Sequence, residues 1–256
     1  MADRLILVTN DDGILAPGLD ALVKASSGFG RVVVIAPDRN RSAISSAISI
    51  QNILRLEKIS QDRYSCDGTP VDCVLMGVGI LEQMPDWILS GINQGYNMAE
   101  DVLYSGTVGA AFEGCLQGVK SAAFSMHQNG DMGTASKWIR YFLDVWEKIE
   151  LPTRSIWNVN LPAYEPKGFR LTAQGQRSYW DLMEQRSDPT GRPYFWIGGQ
   201  GGPEYKMIKG CDAEAVHDGY VSVTPLQMDM SCLATISKAS EFEEVFSTNR
   251  LPDDLA

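Results

Sequence analysis

Histidine is almost missing from this chain, which has only two in 256 residues, His127 and His217. A zinc centre built on imidazoles is therefore excluded, and with no ligand-spaced partner both are expected to be structural or exposed. Cysteine is nearly as scarce: five stand at positions 66, 73, 115, 211 and 232, an odd number with no CxxC pair. They sit mostly among apolar residues, which reads as reduced, buried thiols in a cytoplasmic protein rather than a disulfide framework. No GxSxG is present and no cysteine stands in a nucleophile setting, so the common serine and thiol hydrolase signatures are absent. Long apolar runs are missing too. The first, residues 5–8, holds four residues before a polar tetrad interrupts it. An export signal needs roughly 7 to 15 and a membrane helix about 20, so a soluble protein without a membrane partner is expected. Positive charge is also in deficit. The 22 Lys and Arg face 32 Asp and Glu, a net charge of −10, so long nucleic acids are not expected as partners.

What is present is an ordinary globular composition, 44% hydrophobic and 21% charged, in a length that suits one α/β core with an elaboration. Residues 5–8 (LILV), 31–36 (RVVVIA) and 87–90 (WILS) are runs too short for helices and read as buried parallel strands. Helical spacing predicts helices over 17–26, 70–79 and 107–118, a further strand over 121–125, and a strongly amphipathic helix over 134–150. Strands alternating with helices imply right-handed crossovers and a mostly parallel sheet covered on both faces. Beyond about residue 160 the helices thin out. Residues 158–161, 169–172, 194–197 and 220–224 are strand-like, 188–193 and 198–202 read as hairpin tips or loops, and a last helix is expected over 239–246 before a loose tail. The expected division is a core over 1–150 that carries the site, and a β-hairpin and C-terminal helix extension over 151–256. That extension is not an independent domain but a small antiparallel part or an arm for a neighbouring subunit.

Ligands of open parallel sheets bind beyond the carboxyl ends of the strands. Three such ends are rich in oxygen: Asn10-Asp11-Asp12-Gly13, Pro37-Asp38-Arg39-Asn40-Arg41-Ser42, and Gly91-Ile92-Asn93-Gln94-Gly95-Tyr96-Asn97. Adjacent carboxylates at the end of a buried strand are costly without a cation, and a hard ion such as Mg²⁺ or Mn²⁺ takes carboxylate, hydroxyl and amide oxygens. Alternatively, the first loop is a plain Asx turn leading into a helix. Ser105-Gly106-Thr107 opens a helix whose first turns are small residues, an arrangement that suits a phosphate but equally an ordinary cap with tight packing. No GK[ST] follows it, so it is not a P-loop. Arg39 and Arg41 either neutralise phosphate or form surface pairs. Tyr179, Trp180, Tyr194, Phe195 and Trp196 either stack on a base or pack in a hairpin or interface.

Five segments taken together resemble the SurE family of survival proteins: residues 7–14 (LVTNDDGI) with Ala16-Pro17-Gly18, 36–42 (APDRNRS), 68–74 (GTPVDCV), 90–93 (SGIN) and 104–108 (YSGTV). With residues 219–226 (GYVSVTPL) the likeness spans nearly the whole chain. The resemblance implies a Rossmann-like α/β fold whose C-terminal portion exchanges elements between subunits in homodimers or homotetramers. It implies a metal-dependent 5'-nucleotidase acting on nucleoside monophosphates, with 3'-nucleotidase and short-chain exopolyphosphatase activity as further possibilities. By the same resemblance, one Mg²⁺ or Mn²⁺ per subunit is held by Asp11, Asp12, Ser42 and Asn93, the two aspartates serve catalysis, and Asn97, Ser105, Gly106 and Thr107 meet the phosphate. Two positions depart from the family pattern: Ala43 stands where many members have glycine, and Leu233 where some place a histidine. The rival readings are a haloacid-dehalogenase-type phosphatase and a nucleotide sensor that does not hydrolyse.

Overall fold

The computed structural model describes residues 4–178, 183–197, 204–240 and 243. Its centre is a sheet in which β1 (Leu5–Thr9) lies between β2 (Arg31–Pro37) and β5 (Trp87–Gln94), parallel to both. Outward from β5 come β6 (Lys120–Met126) and β7 (Ser155–Leu161), also parallel, then β13 (Val221–Gln227) and β8 (Phe169–Leu171). Outward from β2 come β4 (Arg63–Cys66) and β3 (Leu56–Ser60), giving nine strands in the order β3-β4-β2-β1-β5-β6-β7-β13-β8. The chain leaves β1 toward one edge and returns to its other side at β5. That reversal opens a crevice beyond the strand ends at β1 and β5.

Side chains alternate between the two faces of a strand, and each face here has its own helices. Ile6 and Val8 of β1, with Val34, Ala36 and Leu89 from its neighbours, pack under α1 (Pro17–Ser26) and α4 (Met132–Trp146). Leu5, Leu7, Val33, Ile35 and Ile88 pack on the other side under α2 (Pro70–Ile80) and α3 (Gly106–Leu116). Burial on both faces is why these strands read as unbroken apolar runs. The α/β fold with a mostly parallel sheet is thus as expected from the alternation.

Differences are confined to edges and ends. The β3–β4 hairpin was not expected, because β3 is mostly exposed and shows no apolar alternation. Its turn holds Asp62 at φ +57, a conformation that Asp tolerates better than most residues. Helix α4 begins and ends a few residues before the expected 134–150, since Asp131 accepts the Thr134 N–H at 2.7 Å as its cap and Pro152 disfavours helix at Leu151. Three short strands and a helix of the second half, β9 (Gln176–Ser178), β10 (Met183–Ser187), β12 (Glu204–Lys206) and α5 (Asp212–His217), carry too few residues for a period to show. β10 pairs antiparallel with β11 (Pro193–Ile197) and β12 with β9, each as a separate two-stranded sheet.

Contacts do not divide the chain at residue 150. Strands β7, β13 and β8 complete the central sheet, and the larger compact unit runs to Leu226. Residues 227–256 form a second unit, in which α6 (Leu233–Ile236) is exposed and includes Leu233. Of the helix expected over 239–246, residues 239, 240 and 243 are described and helical, and the others lie outside the described residues, as do the loop 198–202, Tyr179, Trp180 and the tail. All five cysteines are free; Cys66, Cys73 and Cys211 are buried, while Cys232 is exposed, contrary to a uniformly buried set.

Candidate active site

Just past Thr9 the chain turns on Asn10, a fully buried side chain that donates to the Gly13 carbonyl at 3.0 Å and accepts the Gly13 N–H at 3.1 Å. Gly13 has φ +105, and a Cβ there would meet the Arg39 backbone at 3.0 Å, so glycine lets the first two strand-end loops pack together. The Arg41 N–H, donating to the Asp11 carbonyl at 2.7 Å, fixes the second loop to the first. Asn10 is committed to closing this turn. The haloacid-dehalogenase reading would need a carboxylate at that position, so it lacks its nucleophile.

Asp11 is buried and Asp12 half-buried. Burial, opposed by the Thr107 hydroxyl and reinforced by the Asp12 charge, pushes the Asp11 carboxyl up to about 6. Burial also raises Asp12, against a hydrogen bond from the Gln94 backbone. The Thr107 hydroxyl donates to Asp11 from the start of α3. That approach requires Gly106, where a Cβ would stand 2.9 Å from the Asp11 Cβ.

A cavity of about 570 Å³ opens over these strand ends, and its lining includes Asp11, Asp12, Ser42, Asn93, Asn97 and Ser105. Six of the eight residues expected at the site from sequence thus share one cavity. Gly106 and Thr107 do not line it: Thr107 is fully buried and its hydroxyl is spent on Asp11. The Ser105 hydroxyl caps α3 by accepting the Val108 N–H at 3.1 Å, as the ordinary-cap alternative has it. The Thr107 backbone also hydrogen-bonds the Asp11 carboxyl, so this helix start is turned to Asp11 and to its own cap. Asn97 is held from two sides: its amide donates to the Ser125 hydroxyl at 2.7 Å, and its carbonyl accepts from Asn158 and Asn160 at 2.8 and 3.1 Å. Arg39 lies 3.7 Å from Asp38 as a surface pair, whereas Arg41 is largely buried, 3.6 Å from Asp38 and donating to the Asp67 carbonyl; neither lines the cavity.

No trio of His, Cys, Asp or Glu gathers among the described residues. The oxygens that could hold a cation are the Asp11 and Asp12 carboxylates, the Ser42 hydroxyl and the Asn93 amide. Such a hard, oxygen-only set fits Mg²⁺ or Mn²⁺ rather than a thiolate or imidazole metal. A buried carboxylate with a like charge beside it is the electrostatic fault that a divalent ion repairs.

Other lining residues had no sequence signal. Arg177 and Tyr205 face each other across β9 and β12; Arg177 pairs with Asp101, and the Tyr205 hydroxyl donates to the same carboxylate at 2.7 Å. They come from strands of three residues, too short to be read as strands. His127 also lines the cavity and meets Tyr96 edge-on, with ring centroids 5.5 Å apart, where a purely structural or exposed role was expected. Burial pushes the Tyr96 hydroxyl up to about 12, so it stays neutral at physiological pH.

The pattern of the family described as survival protein SurE matches residues 6–181. The chain belongs to the SurE family. It is 41% identical to the 5'-nucleotidase SurE of Syntrophotalea carbinolica, over 95% of this chain and 99% of that protein, and 43% identical to the 5'-nucleotidase SurE of Myxococcus xanthus, over 89% of each. The crystal structure of the SurE protein from Aquifex aeolicus superposes with a TM-score of 0.82 at 38% identity, covering 94% of this chain and all of the other. The SurE membership covers both the strand-end loops and the β-rich second half. Among the described residues, no helix is long and apolar enough to cross a membrane.

Proposed function

We propose that this chain is a metal-dependent phosphomonoesterase that hydrolyses nucleoside 5'-monophosphates to nucleoside and phosphate. The observation that carries the reading is the meeting of Asp11, Asp12, Ser42 and Asn93, from three separate strand ends, at one cavity of a SurE-family fold. These four residues hold one Mg²⁺ or Mn²⁺ per subunit. When bound, the ion supplies positive charge that neutralises the phosphoryl oxygens.

The chain's own groups do the rest. The Ser105 side of the cavity receives the phosphate, with Asn97 beside it, while Thr107 acts through Asp11. Asp12 is the less buried of the two carboxylates; it takes the proton of the attacking water and passes it to the nucleoside oxygen as the phosphorus–oxygen bond to the nucleoside breaks. The exposed aromatic side chains of the β10–β11 hairpin support a homodimer or homotetramer in which the second half meets a neighbouring subunit. The free cysteines fit a cytoplasmic protein.

The test is phosphate release from AMP and GMP with Mn²⁺ or Mg²⁺, run beside 3'-nucleotides, short polyphosphate and p-nitrophenyl phosphate. Asp11→Ala and Asn93→Ala are expected to lose about 100-fold or more in turnover, the scale on which transition-state charge stabilisation is lost. Unchanged turnover in both overturns the site assignment. Intact nucleotide retained for hours with metal present would make the protein a sensor instead.

A further inference from the structure

We infer that Tyr96 and His127 form the nucleobase-recognising wall of the cavity, with His127 donating a hydrogen bond from Nε2 to an acceptor on a purine edge. The inference deepens the nucleotidase reading and rests on it. His127 follows directly on β6, whose Ser125 and Met126 are the register partners of Asn93 and Gln94 on β5. Strand spacing and rise put its Cα roughly 8 Å from that of Asn93, beside the cation-binding oxygens rather than among them. A phosphate held at the strand ends carries its nucleoside into this distance.

The ring is fixed from behind. The His127 N–H donates to the Leu161 carbonyl at 3.1 Å, the Gly130 N–H donates to the His127 carbonyl at 2.8 Å, and the Asn129 N–H donates to Nδ1 at 3.1 Å. With Nδ1 accepting, the proton of the neutral imidazole sits on Nε2, which hydrogen-bonds no described residue. Tyr96 braces the ring edge-on at 62°, and Gln128 adds an exposed amide to the same lining. An aromatic wall with an oriented donor suits an uncharged ring that carries acceptors. Purines offer N7 as an acceptor that pyrimidines lack, and base stacking on aromatics tolerates either purine.

The test compares GMP, CMP and ribose 5-phosphate, which keeps the leaving oxygen but has no base, as kcat/KM with Mn²⁺ and as affinity with Mn²⁺ under non-turnover conditions. The wild type is expected to favour GMP over CMP. In His127→Ala the GMP-to-ribose-5-phosphate ratio should fall about tenfold, mostly through KM, the scale of one lost stacking or hydrogen-bond contact. His127→Gln, which keeps a donor, should recover part of it. An unchanged ratio, or equal losses on GMP and ribose 5-phosphate, overturns the inference, the latter because it places His127 at the leaving oxygen or in the fold. Tight GMP binding without phosphate release would sink the hydrolytic reading, while a GMP affinity that falls in His127→Ala would still support the base wall.

Discussion

Asp11, after β1, and Asp212, at the start of α5, are two of three buried aspartates among the described residues, and they are satisfied in opposite ways. Asp212 is fully buried and accepts the N–H groups of Ala99, Gly175 and Ala213 at 2.9, 3.0 and 2.8 Å. Its charge is spent on backbone, tying the turn before Tyr104 and the approach to β9 onto α5. Asp11 accepts one side-chain hydroxyl, has Asp12 for a neighbour, and looks into a cavity. Burial raises both carboxyls, so burial alone does not distinguish a structural acid from a functional one. What separates them is the number of acceptor sites left for something that is not protein.

The same substitution should therefore act with opposite sign at the two turns. Asp11→Asn is expected to lose about 100-fold or more in turnover. The metal-free variant should meanwhile gain up to about 3 kcal/mol of stability at neutral pH, because an amide is spared the cost of ionising a carboxyl that burial has raised from 3.8 to about 6. Asp212→Asn is expected to lose about 1–3 kcal/mol, because one buried N–H, that of Ala99 if the amide oxygen replaces Oδ1, is left facing an NH₂ group. Thermal melts of the metal-free variants beside phosphate release would read both. A melt that falls in Asp11→Asn, or rises in Asp212→Asn, breaks the contrast.

The contrast also marks how far sequence could go. Asn10-Asp11-Asp12 was legible because it interrupts an apolar run at the end of a strand, where a pair of charges needs an explanation. Ser42 and Asn93 lie in the oxygen-rich loops after two further strands, but only the resemblance to the SurE family singled them out within those loops. Asp212 was not, because α5 is six residues long and nothing in Cys211-Asp212-Ala213 signals that distant N–H groups from residues 99 and 175 converge there. Arg177 and Tyr205 were hidden likewise, since pairing across β9 and β12 is a long-range event between fragments with no period of their own. For Thr107 the resemblance implied a place at the phosphate, and the hydroxyl's bond to Asp11 is visible only in the fold.

That contact yields the next effect in size. Thr107→Val keeps the shape but removes the donor that lowers the Asp11 carboxyl, so apparent Mn²⁺ affinity should fall about 10-fold or somewhat more, as for other groups that orient a ligand. Isothermal titration with Mn²⁺ would measure it, and an affinity equal to wild type would show that Asp11 needs no such support. The pH dependence follows from the same group. Its folded value of about 6 lies above the ordinary 3.8, so its stabilising contribution is complete below 3.8 and is lost as pH rises through about 6. Without metal, the stability difference between wild type and Asp11→Asn should therefore widen from pH 4 to pH 7 in favour of the variant. Adding Mn²⁺ should reverse that trend, because the ion binds the ionised carboxylate.

The smallest effect tests whether the two turns also differ in backbone strain. Ala43, next to Ser42, has φ +57, and Ala99, held by Asp212, has φ +51. A left-handed alanine costs roughly 1–2 kcal/mol, which glycine would relieve at the expense of about 0.5–1 kcal/mol of chain entropy. Ala43 is exposed, so Ala43→Gly loses no packing and should stabilise by about 0.5 kcal/mol, with the loop already in the conformation glycine prefers. Ala99 is fully buried, and Ala99→Gly also gives up a packed methyl, worth about 1 kcal/mol, which should cancel the relief or outweigh it. Melts of the two variants should therefore move apart, up for Ala43→Gly and level or down for Ala99→Gly. If both rise together, the strain at Ala99 exceeds what its methyl contributes, and Asp212 must be holding the turn against more backbone cost than its three hydrogen bonds suggest.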